Sequence, residues 1–357
     1  MARRFCVPRE RATKEQNSMD VMLWLWVGFN VFVLAMLALD LGVFHRTAHV
    51  VSFREAAIWS TIWIGMAGVF NVLLFFFWEQ WSPGSEYTSS EAALLFLTGY
   101  IIEKSLSIDN IFVFVLIFTY FAVPREYQHR VLFWGILGAL VMRGAMIAAG
   151  AALIERFGWV VWIFGAFLIF TGIKMAFHRN EKIDPEKNPL IRLFRRFMPV
   201  TEQFHGDKFF VRKAGVLMAT PLFLALLMVE FTDLVFAVDS IPAIFAVTRD
   251  PFIVYTANVM AILGLRSLYF LLDGLVHQFY YLKLGLSFIL VFAGVKLFWP
   301  DVMALVTGTA SKMPPAISLG VIAAVLAVAI GASLVRARRL ARQKQPGIRD
   351  ELRPSAE

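Results

Sequence analysis

The sequence has a single cysteine, and Cys6 lies in a polar N-terminal stretch, so the chain can form no internal disulfide and no thiolate metal centre of the usual kind. Histidine is almost as uninformative. All six (His45, His49, His129, His178, His205 and His277) fall at the ends of apolar runs or between them, which disfavours zinc and copper inside those runs. Charge is scarce: 17% of residues are charged, against about a quarter in ordinary globular chains. The motifs GxGD, DDxxD, HExxH and GxSxG are all missing, which argues against an intramembrane enzyme.

What fills the chain instead is apolar sequence. Hydrophobic residues make up 59% of the 357 positions, and Phe alone occurs 35 times. Runs of roughly 20 apolar residues, long enough to span a bilayer, recur along nearly the whole length. The fold class is therefore an all-α polytopic membrane protein. Nine spans are expected, at Val21–Phe44, Ala56–Trp78, Ala92–Phe121, Val131–Ile154, Val160–Phe177, Ala214–Val247, Phe252–Leu272, Phe279–Phe298 and Ala316–Val335. The third and sixth exceed what a spanning helix needs, so tilt, kinks or extensions beyond the membrane are expected there.

The net charge of +8 sits mainly between His178 and Lys213 and between Arg336 and Arg353. Its location points to topology and to anionic lipid headgroups as a partner, not to nucleic acid. The positive-inside rule puts both clusters in the cytoplasm and the Lys- and Arg-free connection Glu79–Glu86 outside. An odd number of spans then leaves the N-terminus outside, in tension with Arg3, Arg4, Arg9 and Arg11; a start at Met19 would remove the tension. No small-residue cleavage site supports a signal peptide. Asn188–Val200 reads either as a short basic amphipathic helix on the membrane surface or as a solvated linker.

Spans three to five and six to eight echo one another. "GALVMRGAM" around Arg143 matches "AILGLRSLY" around Arg266, and "LIFTGIKM" matches "LVFAGVKL". In both units a span rich in acids comes first. A three-span unit repeated in tandem must lie in opposite orientations, so two inverted three-helix repeats are expected, with a site between them near the midplane. The segments are then a polar tail (1–20), two leading helices (21–90), the first repeat (91–178), a basic cytoplasmic loop (179–213), the second repeat (214–299), a last helix (300–336) and a basic tail (337–357).

Ionisable groups are costly inside a bilayer, by a few kcal/mol each even on lenient scales. Yet "EKSLSIDNIFVF" carries Glu103 and Asp109, and "EFTDLVFAVDS" carries Glu230, Asp233 and Asp239. Arg143 and Arg266 can balance two of these five acids; Asp40 lies nearer the end of the first span. The surplus must be protonated, hydrated or matched by a cation. At about 100° per residue Glu103, Ser107 and Asn110 share one helix face with Asp109 beside it, and Glu230 and Asp233 share another. Asp239 would fall on the far side of a straight helix; a break at Pro242 would swing it inward and free the Val238 carbonyl. The donors are hard oxygens, suited to manganese, magnesium or calcium; Met142 and Met228, near the acids in sequence, read either as a softer ligand or, in a chain with 14 Met, as packing residues.

"EKSLSIDNIFVF", "FTDLVFAVDSIPAIFA", "ILGLRSLYF" and "LALDLGVFHR" resemble the TerC family of bacterial integral membrane proteins, including its Alx branch, over Met19 to Arg339. The resemblance implies a protein of the bacterial inner membrane, grouped with the LysE-like exporters, that exports divalent manganese as a substrate without a tightly bound cofactor. It carries metal-site roles to Glu103, Asp109, Asn110, Asp233, Asp239 and Ser240, with Asp40 a lesser candidate. Two other readings remain open at this point. One is an oxyanion carrier for tellurite, after which the family is named; the other is a membrane partner in metalation of secreted enzymes.

Overall fold

The computed structural model describes residues 9–42, 51–177, 189–213, 215–272, 280–309 and 311–343. Eleven helices and one hairpin occupy them. In chain order they are α1 (Arg9–Gly42), α2 (Phe53–Trp81), α3 (Ser89–Tyr120), α4 (Arg125–Arg156), α5 (Val160–Phe177), α6 (Pro189–Phe197), β1 (Phe210–Lys213), β2 (Val216–Ala219), α7 (Pro221–Phe245), α8 (Pro251–Leu263), α9 (Leu265–Leu272), α10 (Leu282–Thr307) and α11 (Pro315–Gln343). Among the described residues seven of these are long and apolar enough to cross a membrane, and the bent pair α8–α9 makes an eighth. The chain is thus a multi-pass helical membrane protein. α3 is 32 residues long but carries Glu91, Glu103, Lys104 and Asp109. It packs against α2, α7, α8 and α11, in the middle of the bundle.

Local sequence starts and stops these helices. Ser52 and Glu55 form a capping box on α2, and Thr88 and Glu91 form one on α3. Asp250 accepts from the amides of Phe252 (2.9 Å) and Ile253 (3.0 Å) to open α8. Pro221, Pro251 and Pro315 stand at first helical positions, where a missing N–H costs nothing. α10 ends on Gly308, whose φ of 75° is left-handed backbone.

The predominantly helical architecture expected from the sequence holds, with one addition: a two-stranded antiparallel hairpin pairs Phe210 with Ala219 and Lys213 with Val216. Its second strand accounts for the excess length of the sixth apolar stretch, because Val216–Ala219 ends in pairing before α7 begins at Pro221. α1 begins at Arg9, within the polar 1–20 segment. One expectation does need correction: α7 runs through Pro242 to Phe245 without a break. The proline still removes the donor to the Val238 carbonyl, but the helix continues for another turn. The discontinuity lies instead at Gly264, where α8 and α9 meet at a bend of 42°. The basic segment does contain the amphipathic helix, as α6, with Ile191 buried and Leu193 and Phe197 exposed beside Arg192, Arg195 and Arg196.

The tightest packing joins α5 to α10, and glycine makes it possible. A Cβ on Gly172 would lie 2.8 Å from the Ser287 carbonyl; one on Gly294 would lie 2.7 Å from the Gly165 carbonyl. Ser287 Oγ also donates to the Gly172 carbonyl at 2.6 Å. The contacts are reciprocal. Gly172 meets Ser287 and Val291, and Gly294 meets Gly165 and Ile169, with the same seven- and three-residue steps along each helix. The same exchange holds elsewhere: α3 packs on α8 as α4 packs on α7. In lipid, where apolar burial drives little, such close backbone contact is a main source of helix association.

Candidate metal site at the α3–α7 crossing

The acids of α3 and α7 are spaced alike: Glu103 and Asp109 are six residues apart, as are Asp233 and Asp239. Six steps of about 100° turn the second acid about 240° around its helix. Because both helices are continuous here, each sends its two acids to different sides. The result is two polar layers instead of one cluster.

The first layer faces α4. Arg143 Nε donates to Asp233 Oδ2 at 3.0 Å and its Nη2 to Asp233 Oδ1 at 2.9 Å, a bidentate pair. Its Nη1 donates to Glu103 Oε1, and lies 3.2 Å from Ser240 Oγ and 3.4 Å from Asn258 Oδ1. Every member is buried: Glu103 and Asn258 at 0% exposure, Arg143 at 1%, Ser240 at 2% and Asp233 at 3%. Glu103 Oε2 and Asn258 Nδ2 have no hydrogen-bond partner among the described residues. One guanidinium here serves two carboxylates, and removing it leaves both buried without a counter-charge. Glu230, half-buried a turn before Asp233, lays its carboxylate against Gly138 of α4.

The second layer faces α5. Asp109, Asn110, Asp239 and Ser240 line a cavity of about 20 Å³ with Leu106, Met175 and Phe236. That is room for one water molecule or one bare ion. Asp109 and Asp239 make no ion pair within 4 Å among the described residues; Lys283 acts on the first and Lys174 on the second only through space. Asn110 Nδ2 is buried without a partner among the described residues. Asn110 and Ser240 each lie one residue beyond an acid, nearly in line with Glu103 and Asp233, so they stand between the two layers.

The expected site residues are therefore divided. Glu103, Asp233 and Arg143 form one layer, Asp109 and Asp239 the other, and Ser240 belongs to both. Among the described residues no three His, Cys, Asp or Glu side chains converge as a ready metal cage. Arg266 is buried on α9, a helix that itself packs against α4. The side chain of Asp40 is outside the described residues. Met142 and Met228 do not line the cavity; Met175 does. Sequence reasoning missed Met175, although it directly follows the Gly-x-Lys element of the repeat. Asn258 was missed too, although an amide inside the apolar run of α8 is the same signal that marked the acids. Lys104 went unassigned: its Nζ donates to the Ala261 carbonyl at 3.2 Å, beside the α8–α9 break that frees that oxygen.

Comparison with known proteins agrees on the family. The model of the integral membrane protein TerC family matches residues 88–341. The uncharacterized membrane protein STKORF319 of Myxococcus xanthus is 54% identical over 314 residues, 88% of this chain and 93% of that protein. A protein of Escherichia coli K12, provisionally named membrane-bound redox modulator Alx, is 48% identical over 303 residues, 85% of this chain and 91% of its own. An uncharacterized membrane protein of Rickettsia bellii is 39% identical over 89% of this chain and 99% of its own length. No solved structure matches.

Proposed function

On the premise that the chain belongs to the TerC family of integral membrane proteins, we propose that it exports divalent manganese from the cytoplasm by alternating access. The observation that carries this reading is the division of the carboxylates. One guanidinium holds Glu103 and Asp233, while Asp109 and Asp239 face a one-ion cavity without a cation bonded to them. A dehydrated divalent ion fits both the charge and the space. The cavity walls offer two carboxylates, the Asn110 amide, the Ser240 hydroxyl and the Met175 thioether. Carboxylate and amide oxygens suit magnesium, calcium and manganese alike; the thioether tips the choice towards manganese, the softest of the three.

The scaffold reading follows from the reciprocal packing. In this reading α3–α5 and α7–α10 are two inverted repeats, α3 also crosses the bilayer to give nine spans, and the N-terminus lies outside with the C-terminus in the cytoplasm. Exchange of the two repeats' conformations would expose the Asp109–Asp239 cavity to one side and then the other. Arg143 keeps the neighbouring layer neutral enough to remain dehydrated throughout. The redox effect in the provisional name of the Alx relatives needs no electron carrier of this chain's own. A single thiol cannot cycle as an internal dithiol, and manganese supply would alter redox balance indirectly.

The test is manganese flux in vesicles reconstituted with wild type, Asp109→Asn and Asp239→Asn. Wild type should move manganese in preference to magnesium and calcium, and each variant should lose at least tenfold in rate. Variants that insert equally and transport at the wild-type rate would sink the site assignment. Wild-type vesicles without flux would favour the metalation-partner role.

A further inference from the structure

Where the α2–α3, α7–α8 and α10–α11 connections meet at one end of the bundle, a cleft of about 480 Å³ opens. It is separate from the site above and unlike it in charge. Lys296, Arg249 and Lys312 line it, and Glu91 is the acid on its wall. The acids nearby are already committed. Glu91 Oε2 takes the Thr88 amide at 3.0 Å as part of the α3 cap, and Glu86 Oε2 accepts from Lys312 Nζ at 3.0 Å. Asp250 spends its Oδ1 on the two α8 amides. Lys296 Nζ, by contrast, has no hydrogen-bond or ion-pair partner among the described residues, and Arg249 reaches Glu86 only through space.

Lys296 is also only partly exposed, on α10 beside Leu297 and Pro300. A half-buried ammonium with no counter-charge is costly in an otherwise apolar wall, and it gains most from an anion. Apart from Tyr87, Glu91 and Thr248, the remaining walls are mainly apolar, with Phe245, Leu297 and Met313 among them. Its volume far exceeds that of a simple ion. Charge at one place and apolar wall at another describe a ligand with an anionic head and an adjoining body.

We propose that this cleft binds a phosphate-bearing anion, with Lys296 and Arg249 gripping the phosphate. Two sources share that chemistry, free phosphate compounds and the headgroup of an anionic phospholipid. The measurement is the thermal unfolding midpoint of the purified full chain in neutral detergent. It is titrated at constant ionic strength with inorganic phosphate and, separately, with dihexanoylphosphatidylglycerol. Wild type should show a saturable rise with at least one probe. Lys296→Gln and Lys296→Met should each weaken the apparent affinity at least tenfold, and Arg249→Gln severalfold, while Lys213→Gln stays as wild type. Saturation by phosphate identifies the free source; saturation only by the short-chain lipid identifies the headgroup. No saturable rise in wild type, or an unchanged response in both Lys296 variants, overturns the proposal.

Discussion

Glu103 and Asp233 meet an arginine, whereas Asp109 and Asp239, six residues further along the same helices, meet a cavity. The four acids share helix type, depth in sequence and flanking apolar residues, so composition does not separate them. What separates them is the neighbour each face finds. α4 brings Arg143 to one side of the α3–α7 pair, and α5 brings Met175 and a gap to the other. A buried carboxylate already matched by a guanidinium is a structural element; one facing a gap the size of an ion is available for a ligand. The protein uses the same six-residue spacing twice to make both.

Removing the guanidinium should break this comparison most severely. Arg143→Gln leaves Glu103 and Asp233 buried and unmatched, and should destabilise the chain by about 3–5 kcal/mol. The loss is measurable as a lowered unfolding midpoint in detergent and reduced membrane yield. Adding Glu103→Gln and Asp233→Asn to that variant should restore much of the loss, because no charge then stays uncompensated. A triple variant no better than Arg143→Gln would refute the pairing account.

Next in size is the clamp that holds the cavity wall in position. Gly172→Ala or Gly294→Ala forces a methyl against a backbone carbonyl of the partner helix, and should cost about 1–3 kcal/mol by the same assay. Equal effects from the two would support the reciprocity of α5 and α10. Smaller still is the stability change for Asp109→Asn or Asp239→Asn. Neither acid holds a cation pair, so the midpoint should stay put or rise slightly even where flux is lost. A fall as large as that of Arg143→Gln would mean that the cavity acids are structural after all.

The smallest effect belongs to the exposed bridge at the cleft. Lys312 holds the Glu86 carboxyl below its ordinary pKa of 4.5, first by hydrogen bonding and then by charge. A lowered folded-state pKa gives stability that is complete above the unfolded value and lost as pH falls through the folded one. With side chains 71% and 77% exposed, the pair contributes below about 1 kcal/mol. The gap in unfolding midpoint between wild type and Lys312→Gln should therefore be slight at pH 7 and close on acidification.

Much of the candidate site was legible before the structure. Glu103, Asp109, Asn110, Asp233, Asp239 and Ser240 stood out because polar groups in apolar runs are costly, and the cost itself is the signal. Helical periodicity also placed Asp239 on a different face from Asp233. Its consequence was misjudged, because a break at Pro242 was invoked to bring Asp239 back. α7 continues past Pro242, whereas Gly264 inside the seventh apolar run marks the real discontinuity. Met175 was invisible for a simpler reason: periodicity gives the face a residue occupies but not the helix that face will meet.

By itself, then, the sequence determined the class and the inventory. Long apolar runs require a bilayer, and acids within them require partners, because hydrocarbon supplies neither water nor counter-charge. The repeated order of acids, Arg and Gly-x-Lys likewise follows from the letters alone. Tertiary structure decided the assignment. Which carboxylates Arg143 takes, and which are left facing space beside Met175, depends on helices brought together from distant parts of the chain. Because an unmatched charge is so costly in a low dielectric, the presence or absence of a guanidinium beside each carboxylate separates scaffold from candidate site.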